Sequence, residues 1–289
     1  MSLDSEPMPQ LLRPVGLTLV RASEIYGAEP YFHELIAGID RVVRPLGLSI
    51  LLRVLPTREE ELAVHRRWRD DGAVTAVILV DLSDNDERVR QVRELGLPAI
   101  VIGAPSTADG LPAIWTNDAL AMRDAVEFLR GLGHTHLGHV TGPAELTHTR
   151  SRIGAFDEAC RQPDMTTTSM GGDYSRESGE RALTAMLAQT PRPTAVVFDS
   201  DVMAIGGLDA ARRAGLRVPQ DLSLIAWDDS AQCQLSDPPL SAMSNDVQLI
   251  GEMAGEALLE VLRGRAPDTQ EAPRPVLVQR ETTAAAPAA

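Results

Sequence analysis

Residues Arg192–Ser230 read RPTAVVFDSDVMAIGGLDAARRAGLRVPQDLSLIAWDDS, and this stretch decides the fold. TAVVFDS and LSLIAW are short apolar runs rich in β-formers, and the segment between them, Val202 to Ala214, carries a helical pattern. Strand, helix and strand in one short span make a βαβ unit, whose crossover forces the two strands to run parallel. The runs are apolar rather than alternating, so the sheet is covered on both faces.

The same rhythm extends outward in both directions. Toward the N-terminus, strand runs at Val15–Arg21, Ser49–Leu55, Ala76–Asp81 and Pro98–Gly103 are separated by helix patterns at Pro30–Arg44 and Arg58–Asp70 and by a charged helix ending near Leu95. AIWTN (Ala113–Asn117) closes this series, and the alternation restarts with a helix over Ala119–Leu132, the run HLGHVT and a helix through Cys160. Beyond the deciding stretch come Pro238-Pro239, a long helix pattern at Val247–Arg263 and a last strand, PVLVQRE. The reading is α/β: two doubly wound parallel-sheet lobes in tandem. Pattern alone does not assign the last helix and strand to either lobe. The tail TTAAAPAA is expected to be disordered.

Composition narrows the function. The chain has 289 residues, 44% of them hydrophobic, enough for two cores. Its formal net charge of −14 repels a phosphate backbone, so this stretch by itself is a poor nucleic-acid binder. No apolar run approaches the roughly 20 residues needed to span a membrane. The N-terminus shows no basic segment followed by an apolar run, so no signal peptide is expected. Cys160 and Cys233 have no paired or metal-ligand spacing, which fits a reduced, cytoplasmic protein.

Catalytic and cofactor motifs are missing. There is no GxGxxG after the first strand, no GxxxxGK[ST], no GxSxG and no HExxH, so neither a cofactor nor an enzymatic reaction is expected. His134, His136, His139 and His148 lie close in sequence and invite a metal reading. His136 and His139, three apart along a strand, point to opposite faces, which argues against it.

In open parallel sheets ligands sit beyond the carboxyl ends of the strands. The first lobe places Arg21–Glu24, Asp81 and Gly103 there; the second places Gly142–Arg152, Gly172–Tyr174, Asp199–Asp201 and Trp227–Asp229. Arginine, carboxylates, hydroxyls and an aromatic together suit a polyhydroxylated ligand, whose hydroxyls are gripped in pairs while a ring stacks on its apolar face. The plainer alternatives are that Arg152 pairs with Asp157 or Glu158 on its own helix, that Asp201 caps the helix it opens, that Asp229 caps a helix or turn, and that Tyr174 is lobe packing.

The deciding stretch, continued by SDPPLSAM, closely resembles the signature block of the lactose-repressor/galactose-repressor family of bacterial transcription regulators. GLGHTHLGHVTGP, YFHELIAGID and VQRETT resemble further segments of that family, in order, over about residues 13 to 283. The resemblance implies a periplasmic-binding-protein type I fold, with two lobes joined by three crossovers around a ligand cleft. It implies a first lobe of residues 13–118 plus 247–274 and a second of 119–246 plus 275–283, with 1–12 a linker remnant and 284–289 a disordered tail. It also implies a helix-turn-helix preceding the linker that this chain lacks, so operator DNA would be reached only through that absent domain.

Family ligand positions carry over one at a time. Arg152, in TRSRIGAF, matches the arginine that holds the effector; Asp228, in WDDS, matches its acceptor; Tyr174, in GGDYS, matches a stacking aromatic. Ser200, in FDSD, stands where many sugar-binding members have asparagine, and it carries one donor fewer. Tyr31 and Phe32 match a bulky pair lining the cleft from the first lobe. RIGAF departs from the usual order of small residues after the arginine. The implied protein is a dimeric sensor of a carbohydrate-like effector, with no metal, cofactor or membrane partner. The rival binding reading is a transporter's sugar-binding protein of the same fold. Arg152 and Asp228 are expected to anchor the ligand without carrying the fold.

Overall fold

The computed structural model describes residues 13–21 and 29–287. The linker at 1–12 and positions 22–24 of the first strand-end group lie outside these residues. In the first lobe β1 (Val15–Val20), α1 (Pro30–Val43), β2 (Ile50–Leu55), α2 (Arg58–Asp70), β3 (Ala76–Leu79), α3 (Glu87–Glu94), β4 (Ala99–Ile102) and β5 (Ala113–Trp115) alternate. The second lobe runs through α4 (Asp118–Gly131), β6 (His136–Thr141), α5 (Thr147–Ala159), β7 (Thr166–Gly171), α6 (Arg176–Leu187), β8 (Ala195–Phe198), α7 (Asp201–Arg213), β9 (Ser223–Trp227), α8 (Ala231–Gln234) and β10 (Ser241–Ser244). The chain then returns through α9 (Val247–Leu262) and β11 (Gln270–Glu271) to the first lobe and ends in β12 (Val276–Val278) on the second.

Strand order is β11-β5-β4-β3-β1-β2 in one sheet and β12-β10-β9-β8-β6-β7 in the other. Among the described residues, strands pair in parallel throughout except β10 with β12. The chain therefore passes between the lobes three times, near residues 116–118, 245–246 and 272–275. The central strands β1, β3, β6, β8 and β9 are buried almost throughout, as apolar runs covered by helices on both faces must be.

Helix starts follow the local chemistry. Thr57, Asp86, Asn117, Ser175, Ser200, Ser230 and Asp246 each cap a following helix with a side-chain oxygen. Two capping expectations are corrected here. Ser200, not Asp201, caps α7: its Oγ accepts from the Val202 amide at 3.1 Å, because only the preceding extended residue can turn its side chain back on the helix. Asp229 caps nothing; it holds the Arg280 guanidinium at 2.7 and 2.8 Å, and Ser230 caps α8.

The apolar stripe of α9 (Ile250, Ala254, Ala257, Leu258, with Met253 beside it) is absorbed by the first lobe's core. α9 crosses α1 at two glycines, and a Cβ on Gly38 or Gly251 would lie 2.1 or 2.3 Å from a carbonyl oxygen of the facing helix. The tail is a further correction. Thr282 and Thr283 are buried. The Leu224 amide donates to the Thr282 carbonyl, the Ala286 amide to the Leu132 carbonyl, and the His134 ring meets the Ala284 carbonyl. Residues 282–286 are thus docked along the second lobe, since threonine and backbone groups at the N-terminal ends of β9 and β10 find partners there.

Candidate functional site

Strand ends and crossovers build one cavity of about 220 Å³ between the lobes. All six residues singled out from the sequence (Arg152, Asp228, Tyr174, Ser200, Tyr31 and Phe32) line it. They do not stand alike.

Arg152 projects from the second turn of α5 and is buried. Its Nε lies 2.9 Å from Asp118 Oδ1, Nη1 donates to the Asp199 carbonyl at 3.1 Å, and the guanidinium rests 4.0 Å from the centre of the Trp227 ring. The own-helix pairing is ruled out, because Arg152 turns inward to the crossover while Glu158 takes Arg123 on the outside. Asp199 is fully buried at the end of β8, where His139 meets one carboxylate oxygen at 2.9 Å and the Gly142 amide donates to the other at 3.0 Å. Burial alone would raise its pKa, but His139 and Arg152 hold the carboxylate below its ordinary range.

Asp228 leaves β9 in the left-handed region, φ 63°, which swings its carboxylate into the cavity. Oδ1 accepts from Asn245 Nδ2 at 2.9 Å. Burial, only partly offset by Arg152, pushes this carboxyl up to about 7. Tyr174 is also left-handed, φ 68°. Its hydroxyl is 2.8 Å from His148 Nε2 and 3.2 Å from Thr149 Oγ1, and its ring stands 5.7 Å from the Arg21 guanidinium. Burial and Arg152 keep His148 below its ordinary pKa, hence neutral near pH 7.

From the first lobe, Arg21 bonds Glu29 at 2.9 Å and Asp81 at 2.5 Å and lies 5.4 Å from the Phe32 ring. Arg21 thus sits between Phe32 and, across the lobes, Tyr174. Phe32 belongs to the core as much as to the wall, meeting Tyr31 edge-on at 5.3 Å. Trp115 and Asn117 face the same space. Sequence reading missed Asp118, Asn245 and Trp115; they sit at or beside crossovers, so their only signal was their position beside a strand end.

The lobes also touch beyond the cavity. α5 has no side-chain cap, and its first amide, Thr147 N, donates instead to the Leu82 carbonyl of the other lobe at 2.9 Å. Arg150 meets Asp84 at 2.5 Å alongside. The four histidines go to four separate sets of partners, His134 to Thr194 and Ala284, His136 to Thr168, His139 to Asp199 and His148 to Tyr174. No group of three or more metal-binding side chains is found among the described residues. No helix among them is long and apolar enough to cross a membrane.

Chemically the cavity offers fixed carboxylates, buried guanidinium groups and aromatic walls, an arrangement for holding hydroxyl-bearing molecules. Comparison with known proteins bears on the fold and the family. The family of periplasmic binding protein-like domains matches residues 126–283. HTH-type transcriptional regulator MalR of Streptomyces coelicolor is 33% identical over 230 residues, 75% of this chain and 66% of its own length. HTH-type transcriptional repressor PurR of Edwardsiella ictaluri is 30% identical over 89% of this chain and 77% of its own. The crystal structure of a LacI family transcriptional regulator from Bifidobacterium animalis subsp. lactis superposes with a TM-score of 0.86 at 32% identity, covering 96% of this chain and 99% of that one. The chain thus spans just under two thirds of the regulator MalR.

Proposed function

We propose that this chain, which belongs to the LacI family of periplasmic-binding-protein-like regulators, is the effector-sensing core of a transcription repressor. Its interlobe cavity binds a small carbohydrate-like molecule, and binding sets how the two lobes sit on one another. In the intact regulator that setting controls a helix-turn-helix and so operator affinity, provided the ligand binds one lobe arrangement more tightly than the other. The core acts as a homodimer in the cytoplasm and performs no chemistry on its ligand. Relatives that carry helix-turn-helix names favour this reading over a transporter's binding protein.

The observation that carries the proposal is the cavity itself. Arg152 and Asp228 from one lobe, and Tyr31 and Trp115 from the other, face a single space reached from both. A ligand there touches both lobes at once, which is what couples occupancy to lobe geometry. Tyr174 is less free to stack than the resemblance implies, since Arg21 lies against its ring; Trp115 and Tyr31 are the better candidates for an apolar sugar face.

The test is a thermal-shift and calorimetric screen of mono- and disaccharides. A ligand at about a hundred times its Kd stabilises the folded state by about 2.7 kcal/mol. For a chain of this size that raises Tm by several degrees. If no carbohydrate shifts the melt, the sugar-sensor reading falls.

A further inference from the structure

We propose that this cavity is selective by charge: it takes a ligand without an anionic group, one that delivers a hydrogen-bond donor to Asp228 beside the second uncompensated carboxylate, Asp201. The inference rests on the carbohydrate reading and narrows it to neutral or aminated sugars. Phosphorylated sugars and sugar acids are excluded.

Two guanidinium groups face the cavity, and both are already engaged. Arg21 holds Glu29 and Asp81 and spends its remaining terminal nitrogen on the Val20 carbonyl. Arg152 holds Asp118 and the Asp199 carbonyl. The imidazole of His148 is kept uncharged. An incoming anion therefore meets no unpaired cation in the cavity among the described residues.

The carboxylates are not matched in the same way. Glu29 and Asp81 answer Arg21, Asp118 answers Arg152, and Asp199 is held by His139 and the Gly142 amide. Asp201 and Asp228 are left over. The Asp201 side chain lines the cavity while only 3% exposed. Ser230 and backbone amides at the start of α7 attend its carboxylate, but no cation answers it. Asp228 uses Oδ1 on Asn245, and its other oxygen accepts from no described protein group. Asn245 donates its amide nitrogen to Asp228 and so fixes that carboxyl in place.

The second oxygen of Asp228 is thus an acceptor without a protein donor in the cavity wall, and such an acceptor favours a ligand that supplies a donor. Asp201 and Asp228 also repel each other, which adds to the burial that holds Asp228 above its ordinary pKa. Hydroxyl or ammonium hydrogens relieve both penalties, whereas a carboxylate or phosphate would add to them. Ser200 lines the same cavity, and its oxygen already accepts from the Val202 amide, so its hydroxyl proton is what it has to offer. Asn245, which holds Asp228, lies at a crossover between the lobes, so ligand contact with Asp228 bears on that crossover.

The experiment uses matched sets: a neutral hexose or disaccharide, its amino derivative, its uronate and its phosphate ester, titrated calorimetrically into the wild-type chain and into Asp228→Asn and Asp201→Asn. In the best-binding set, the neutral or aminated member should bind at least about a hundredfold more tightly than the uronate and the phosphate. The asparagine variants should narrow that gap by weakening the neutral or aminated member and easing entry of the acid. An acidic or phosphorylated sugar that binds within about tenfold of its neutral parent overturns the proposal, as does an unchanged gap in both variants. If no member of any set binds, the carbohydrate reading itself is wrong. Circular dichroism melts of each variant confirm that the folded protein is being titrated.

Discussion

Asp228 carries the sharpest residue-scale consequence. Its folded pKa of about 7 lies above the 3.8 of an exposed aspartate. Between about pH 4 and pH 7 the unfolded chain gives up this proton while the folded one keeps it, so the ligand-free fold loses stability as pH rises through that window. Each tenfold difference in proton affinity between the two states is worth about 1.4 kcal/mol. Arg152, Asp118, Asp201, Asn245 and Tyr31 are the charged or polar neighbours that set the balance. Asp228→Asn should therefore melt higher than wild type at pH 8 and close to it at pH 4, while losing most of the ligand-induced shift. Equal Tm differences at the two pH values would show that burial of this carboxyl is not what destabilises the fold.

Arg152 behaves differently, and the expectation that it leaves folding untouched is revised. It is buried against Asp118 and Trp227, and removing one partner of a buried pair strands the other charge, which costs about 3–5 kcal/mol. Arg152→Ala should abolish ligand binding and lower Tm together, and adding Asp118→Asn should recover part of the Tm without recovering binding. A variant that melts with wild type would place Arg152 outside this pair.

At the scale of elements, the contact between α1 and α9 fixes one wall of the cavity, since α1 carries Tyr31 and Phe32. The two helices approach at Gly38 and Gly251, where any Cβ collides with backbone. Gly251→Ala should force the helices apart and cost about 1–3 kcal/mol, the usual range for overpacking. Gly154→Ala is the control: it lies on the exposed face of α5, and an added methyl group there would have nothing within 4 Å. At that position the better helix former should gain about 0.5–1 kcal/mol. Chemical denaturation of the pair checks the opposite signs.

For the whole molecule, the net charge of −14 sets a field that opposes duplex DNA, most strongly at low salt where it is least screened. The chain should show no competitor-resistant shift of duplex DNA in gels, and a sequence-specific complex would mean that DNA recognition resides in this core. Sedimentation at tens of micromolar should give twice the 31.2 kDa of one chain. A monomer would remove the dimer from the proposal. The α9 stripe is not the dimer surface, because the first lobe has already buried it.

The sequence by itself determined the two doubly wound lobes, the order of their strands and helices along the chain, and the end of each sheet that borders the cavity. Those features follow from apolar periodicity and from the parallel crossover, which are local properties of a run such as TAVVFDS and its neighbouring helix. Through the family resemblance it also singled out Arg152 and Asp228 as ligand positions, while leaving Arg152 free to pair on its own helix. Only the tertiary structure decided whom they face. Asp118 and Asn245 come from crossovers far along the chain, so no spacing in the sequence ties them to Arg152 or Asp228. Tyr174 was legible as an aromatic at a strand end, but its cover by Arg21 arises from the meeting of two lobes. The tail, poor in apolar side chains, carried no packing signal, because its docking rests on backbone carbonyls and two threonines rather than on burial of a core. Charge balance in the cavity belongs to the same class: it depends on which carboxylates pair with which guanidinium groups, and pairing is a property of folded geometry.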